Sequence, residues 1–253
     1  MTPRPSAVGI VAIGHSGLTG EYSNPAQPDT SWPPNSWATG TNPDVDSIYL
    51  RMIKAIPETK DHVVNAAVGG SRIEDMLEQT ANALAAVPTP RLAIIQAVDN
   101  DVRCDGTDGK HVPEFGETLA KILTTIQAAS PDTDVLVLYQ LGRPAGYAKA
   151  LASKPDVRKS LGGSGMCDFF GEAGDLDQTK LATLTGIIEQ YETEQVHICA
   201  RFARCHTDGG AFTTYKDDAR DLIQGEWNHL NVHGLARVAD LAWPVVQKIL
   251  GLG

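Results

Sequence analysis

No stretch of this sequence approaches the roughly 18 consecutive apolar residues of a membrane-spanning helix. A secretory leader is missing as well. Met1-Thr2-Pro3-Arg4-Pro5 runs straight into Val8-Gly9-Ile10-Val11-Ala12-Ile13, too short and too poorly flanked for a signal core. A mature segment behind an artificial initiator Met is therefore expected. Positive charge is scarce. The chain has 21 Lys and Arg against 31 Asp and Glu, a formal net charge of −10. Such a surface repels nucleic-acid phosphates and disfavours an anionic membrane, and it says little about a neutral small molecule. Internal repeats and domain linkers are absent, and so are metal templates. His229 and His233 stand four apart, but no His-Glu-x-x-His frames them and Leu230-Asn231 reads as a turn. A calcium loop started at Asp101 puts Arg103 and Val112 where oxygen ligands belong. No metal and no organic cofactor is expected.

What is present fits one domain over residues 1–253. A chain of this length, 42% apolar and 21% charged, buries a sizeable core without metal support. Its four cysteines, Cys104, Cys167, Cys199 and Cys205, form an even set. Two disulfides in an oxidising compartment are one reading, with Cys104 to Cys167 and Cys199 to Cys205 the favoured pairing. Four free thiols in a cytosolic enzyme are the other. Secretion is the expectation, and a cytoplasmic location its alternative.

Short β-branched apolar runs alternate with amphipathic stretches. The runs cover 8–13, 62–68, 92–98, 134–141 and 196–200, and read as strands buried on both faces. Helical patterns cover 45–55, 73–87, 114–129, 176–192 and 234–250. Ser71 ahead of Ile73-Glu74 has the spacing of a capping box, and Pro88 and Pro131 follow the second and third helices. This alternation predicts an α/β fold: a flavodoxin-like three-layer sandwich with a central parallel five-stranded sheet and helices on both faces. Ligands of such folds bind beyond the carboxyl ends of the strands. Two long irregular stretches, 21–42 and 142–177, are placed to shape a cleft there.

The strand ends carry the candidate chemistry. After the first comes Gly14-His15-Ser16-Gly17-Leu18-Thr19. Small neighbours let backbone approach a ligand, yet Leu18 breaks the Gly-x-Ser-x-Gly elbow. Taken alone, Ser16 is an ordinary turn serine. After the second strand, Asn65 leads to Gly69-Gly70-Ser71, where a glycine N–H can meet an oxyanion or simply make a tight turn. After the third comes Val98-Asp99-Asn100-Asp101, whose Asn100 side chain is a hydrogen-bond donor or an Asx-turn. Ahead of the last helix stands Glu226-Trp227-Asn228-His229. A carboxylate three residues before a histidine can hold the imidazole in one tautomer.

In their order, Ser, Gly, Asn and His, these four sites resemble the four sequence blocks of the SGNH (GDSL-like) hydrolases. The likeness spans Gly14 to Gly234, nearly the whole chain, and is nearest to the secreted actinobacterial branch. His15 stands in place of the family's usual Asp, Val98 in place of a Gly, and Glu226 in place of an Asp. Gly234 falls five residues after His229, as the family has it. The resemblance implies a serine esterase. Ser16 would be the nucleophile, His229 the general base and Glu226 the third triad member. Ser16, Gly70 and Asn100 would form the oxyanion hole, with His15 and Trp227 as substrate contacts. The expected partner is a small-molecule, lipid or carbohydrate ester. Rival readings are a lipase or carbohydrate acetylesterase with the same triad, and a non-catalytic carbohydrate-binding module whose Trp32, Trp37 and Trp227 stack on sugar rings.

Overall fold

The computed structural model describes residues 7–163 and 167–252. The opening residues 1–5, read above as the start of a mature chain, lie outside the described residues. Five strands form one sheet: β1 (Ile10–Gly14), β2 (Val63–Asn65), β3 (Leu92–Gln96), β4 (Asp134–Leu138) and β5 (Cys205–Thr207). All pairings are parallel and the order is β2-β1-β3-β4-β5. This is the flavodoxin-like order expected from the βα alternation.

Strand side chains alternate between two cores, which explains why β1, β3 and β4 are buried at every position and largely apolar. Val11, Ile13, Ala93, Ile95, Val135 and Val137 face one layer. There they meet α2 (Met76–Ala86), α3 (Asp108–Ala129) and α6 (Gln178–Cys199) through Met76, Leu119, Ile122 and Ile198. Ile10, Ala12, Leu92, Ile94, Leu136 and Leu138 face the other layer. That layer holds α1 (Ile48–Ala55) and α7 (Val232–Leu250), packed through Ile48, Met52, Val238 and Val246. Two short helices, α4 (Pro144–Ala150) and α5 (Pro155–Leu161), lie within the long irregular stretch after β4.

Three local expectations are corrected. Residues 196–200 are the end of α6 and its C-cap, not a strand. Tyr191, Gln195, Ile198 and Cys199 recur at helical spacing and are buried, while Val196 is 39% exposed. A five-residue apolar run does not reveal its period, and here the helix before it simply continues. The fifth strand is Cys205-His206-Thr207, a half-buried edge strand paired only to β4, so it carries no apolar run. Second, Ser71 does not cap α2. The helix starts at Met76, Ile73 N donates to Asp101 Oδ1 at 3.0 Å, and Ser71 Oγ accepts from Gln79 Nε2 at 2.9 Å. Third, α3 starts at Asp108 and contains Pro113.

Both disulfides are present, Cys104–Cys167 and Cys199–Cys205, and all four cysteines are paired. They close loops of very different length, with sequence separations of 63 and 6. Loop-closure entropy grows with the logarithm of loop length, so this roughly tenfold ratio is worth about 2 kcal/mol. Replacing Cys104 and Cys167 together by Ser is therefore expected to destabilise the protein more than replacing Cys199 and Cys205. The difference should be about 2 kcal/mol by urea unfolding. Equal losses would show that native contacts, not chain entropy, set the contribution of each bridge.

Candidate active site

β1 ends in a close approach to β3. A Cβ at Gly14 would fall 2.3 Å from the Gln96 carbonyl oxygen, so only glycine fits. The chain then enters a single 3₁₀ turn, Ser16–Leu18. His15 caps it, its Nδ1 accepting from Gly17 N at 3.1 Å. This turn is tied to the neighbouring strand ends. Gly14 N donates to Gln79 Oε1 at 2.8 Å, and Asn65 Nδ2 donates to the Leu18 carbonyl at 2.7 Å. Asp101 accepts from Ile73 N at 3.0 Å and from Val98 N at 3.3 Å. Burial pushes the Asp101 carboxyl up to about 6 despite these two amides. Val98 has φ 84, a costly conformation for a β-branched residue, and it sits where the family block has glycine.

Glu226 and His229 form a tight unit. Glu226 Oε2 accepts from Asn228 N at 2.8 Å and His229 N at 2.7 Å, and Oε1 lies 2.7 Å from His229 Nδ1. Burial alone would raise the Glu226 pKa, but the hydrogen bonds from His229 and Asn228 outweigh it and hold it below the usual value. A carboxylate at Nδ1 places the proton there and leaves the Nε2 lone pair free. Trp227, between the two, has φ 65. Its carbonyl accepts from Tyr147 OH at 2.6 Å, and Lys154 Nζ sits 4.7 Å from its ring centre. Tyr22 meets the His229 ring edge-on at 5.1 Å. His233 is engaged elsewhere, with Nδ1 2.7 Å from Asp221 Oδ1, so the two histidines use separate carboxylates.

A cavity of about 320 Å³ brings Ser16, His15 and His229 together. Among the described residues no hydrogen bond joins Ser16 to His229. Catalytic hydrogen bonds often tighten only once a substrate is bound. The cavity lining does not include Gly70, Asn100 or Trp227. Gly70, with φ 78, lines a separate open groove with Val68 and Ser71. Asn100 Nδ2 donates to the Ser71 carbonyl at 3.0 Å. Trp37 is 1% exposed and donates to the Gly17 carbonyl, so it is a wall of the cavity and presents no face for sugar stacking.

The sequence reading missed Gln96, Asp99, Gln140, Arg143 and Asp217 in this lining, and Tyr22 behind His229. Gln96 had a signal: it is the one polar side chain in an otherwise apolar strand. Asp217 lies in an irregular stretch and had none.

No family model matches this sequence, and no curated protein does. Solved structures match over nearly the full length at low identity. An extracellular lipase from Streptomyces rimosus has a TM-score of 0.53 at 16% identity, covering 96% of this chain and 100% of that one. A phospholipase A1 from Streptomyces albidoflavus has a TM-score of 0.55 at 14% identity, covering 96% and 99%. A family 3 carbohydrate esterase from Clostridium thermocellum has a TM-score of 0.52 at 11% identity, covering 97% and 98%. The fold is that of these lipases and esterases, with the parallel five-stranded sheet that the βα alternation predicts.

His15 makes one measurable prediction. Burial holds its pKa below the ordinary 6.5, Asp99 opposing and His229 reinforcing the shift. Below pH 6.5 the unfolded chain takes up a proton that folded His15 refuses. Its contribution to stability is thus present above that pH and lost as pH falls. His15→Asn keeps an acceptor for Gly17 N and does not titrate. The stability gap between wild type and this variant should narrow between pH 7 and pH 5, by at most about 1.4 kcal/mol per pH unit. A gap independent of pH, read from urea unfolding, would show that His15 keeps an ordinary pKa.

Proposed function

We propose that the chain is an ester hydrolase acting through Ser16, His229 and Glu226, with residues 1–253 forming one catalytic domain. The observation that carries this reading is the carboxylate-bound imidazole of His229, opening on the same cavity as Ser16 at the end of β1. Ser16 Oγ attacks the ester carbonyl carbon while His229 Nε2 takes its proton. The carbon–oxygen bond to the alcohol then breaks, and the alcohol leaves with that proton. Water, deprotonated by the same imidazole, hydrolyses the acyl-enzyme and restores Ser16. Glu226 keeps the imidazole in the productive tautomer and stabilises the imidazolium.

Three donors serve the oxyanion in this proposal: Ser16 N, Gly70 N and the Asn100 side chain. Asn100 spends one amide hydrogen on Ser71 and has a second to offer. The bond to Ser71 also holds the loop that presents Gly70. No metal or organic cofactor enters the scheme. The two disulfides, together with the extracellular lipase among the similar structures, support a secreted enzyme. The non-catalytic carbohydrate-binding reading loses support because Trp37 is buried.

Ser16→Ala is expected to abolish labelling by a fluorophosphonate probe and to lower kcat on p-nitrophenyl acetate by on the order of 10⁶-fold. A folded Ser16→Ala protein with near-wild-type turnover would end the proposal. Glu226→Gln removes the anion and keeps the shape, and a loss on the order of 10³–10⁴ in kcat is expected. Full activity in that variant would assign the third role to another group.

A further inference from the structure

Tyr22 stands against its backbone preference. Its φ is 55, in the left-handed region that glycine and asparagine adopt at little cost and a bulky aromatic residue does not. The surrounding loop enforces this conformation. Tyr22 N donates to the Thr30 carbonyl at 3.0 Å, and Trp32 N donates to the Gly20 carbonyl at 3.2 Å. A Cβ at Gly20 would fall 2.5 Å from the Trp32 carbonyl oxygen. This loop would form more easily with Asn or Gly at position 22. What the tyrosine adds is its ring. The ring meets the His229 imidazole with centroids 5.1 Å apart and planes at 90°, an arrangement that aromatic pairs prefer.

The contact falls where the candidate machinery needs a brace. Glu226 fixes the imidazole relative to its own loop, through its bonds to Asn228 and His229. That loop is held in turn by Ile223 N, which donates to the His229 carbonyl at 2.9 Å, and by Tyr147. Among the described residues no hydrogen bond joins residues 226–229 to the Ser16–Leu18 turn. These bonds set the geometry within the Glu226–His229 pair and leave its distance from Ser16 unset. Tyr22 belongs to the serine's own segment. Thr19 N donates to the Ser16 carbonyl at 3.2 Å, and Thr19 Oγ1 lies 2.6 Å from Glu21 Oε2, so the segment is braced from the nucleophile turn towards the ring. Tyr22 is not part of the cavity lining, so its ring backs the imidazole instead of meeting substrate.

We propose that Tyr22 is a positioning residue whose ring seats the Glu226–His229 pair against the nucleophile turn and sets the reach of His229 Nε2 to Ser16 Oγ. This inference rests on the ester-hydrolase reading and adds a residue that acts through the imidazole. The imidazole serves both acylation and deacylation, so loss of its seat slows both steps. Turnover then falls while KM stays.

The test uses Tyr22→Asn, which deletes the ring and suits the left-handed backbone, so the loop keeps its conformation. Tyr22→Gly suits it equally and serves as the second variant. On protein shown to be folded by circular dichroism, kcat for p-nitrophenyl acetate should fall on the order of 10–100-fold in both, with KM little changed. Tyr22→Phe keeps the ring and should retain wild-type kcat. In a His229→Ala background, Tyr22→Asn should cost nothing more, because a residue that acts through the imidazole has no effect once the imidazole is gone. Wild-type kcat in Tyr22→Asn, a raised KM in place of a lowered kcat, or a low kcat in Tyr22→Phe would each overturn the inference and leave the esterase intact. So would a further loss in the His229→Ala background, or failure of both ring-deleted variants to fold, which would assign the ring to the fold alone. A wild type that neither hydrolyses the acetate nor labels with fluorophosphonate would instead take down the ester-hydrolase reading itself.

Discussion

Beyond the carboxyl ends of a parallel sheet, backbone N–H groups have no ladder left to enter, yet here they are buried and must be satisfied. Side chains from elsewhere in the chain meet this demand at one strand end after another. Gln79 of α2 takes Gly14 N after β1. Asp101 takes Val98 N after β3, and also Ile73 N from the loop after β2. Asp208 takes Tyr139 N, and Glu192 of α6 takes Gln140 N, both after β4. Burial lifts the carboxyl groups of Asp101 and Asp208 above their ordinary values. Removing one of these acceptors would strand a buried amide and free the loop that carries a candidate functional group.

The site inherits its shape from that arrangement. Ser16 is aimed by a turn whose two flanks are tied to α2 and β2. The His229 loop is held from the opposite side of the cavity by Tyr147 and Lys154, on and just beyond α4. The irregular stretch that supplies α4 is fastened to the β3–α3 connection by Cys104–Cys167, and Cys167 itself lines the cavity. The long disulfide therefore does two things. It stabilises the chain and it fixes a cavity wall that has little regular structure of its own.

Sheet order, the three apolar strands and both disulfides were legible in the sequence because each follows from a local or countable property. Buried strands are largely apolar, with Gln96 and Asp134 the polar exceptions at the ends of β3 and β4, and an even cysteine set with one short spacing limits the pairings. The fifth strand was not legible. Cys205-His206-Thr207 lies at an edge and is only half-buried, so no hydrophobic pattern marks it, while the apolar tail of α6 imitates one. In the candidate site, the Glu226–His229 pair could be read because a three-residue spacing puts the carboxylate within reach of the imidazole. Gln96 and Asp217 could not be assigned together. They lie on β3 and in a loop more than a hundred residues later, and only the tertiary fold places them in one cavity.

The departures from the family blocks make sense under the same constraint. Position 15 is 2% exposed and its side chain must accept from Gly17 N, so an acceptor is required there. A carboxylate would meet that need but would add negative charge to a cavity that already holds Asp99 and Asp217. A neutral imidazole accepts from Gly17 through Nδ1 and carries its hydrogen on Nε2. Replacing Asp by His at this position thus keeps the cap on the turn without adding a negative charge.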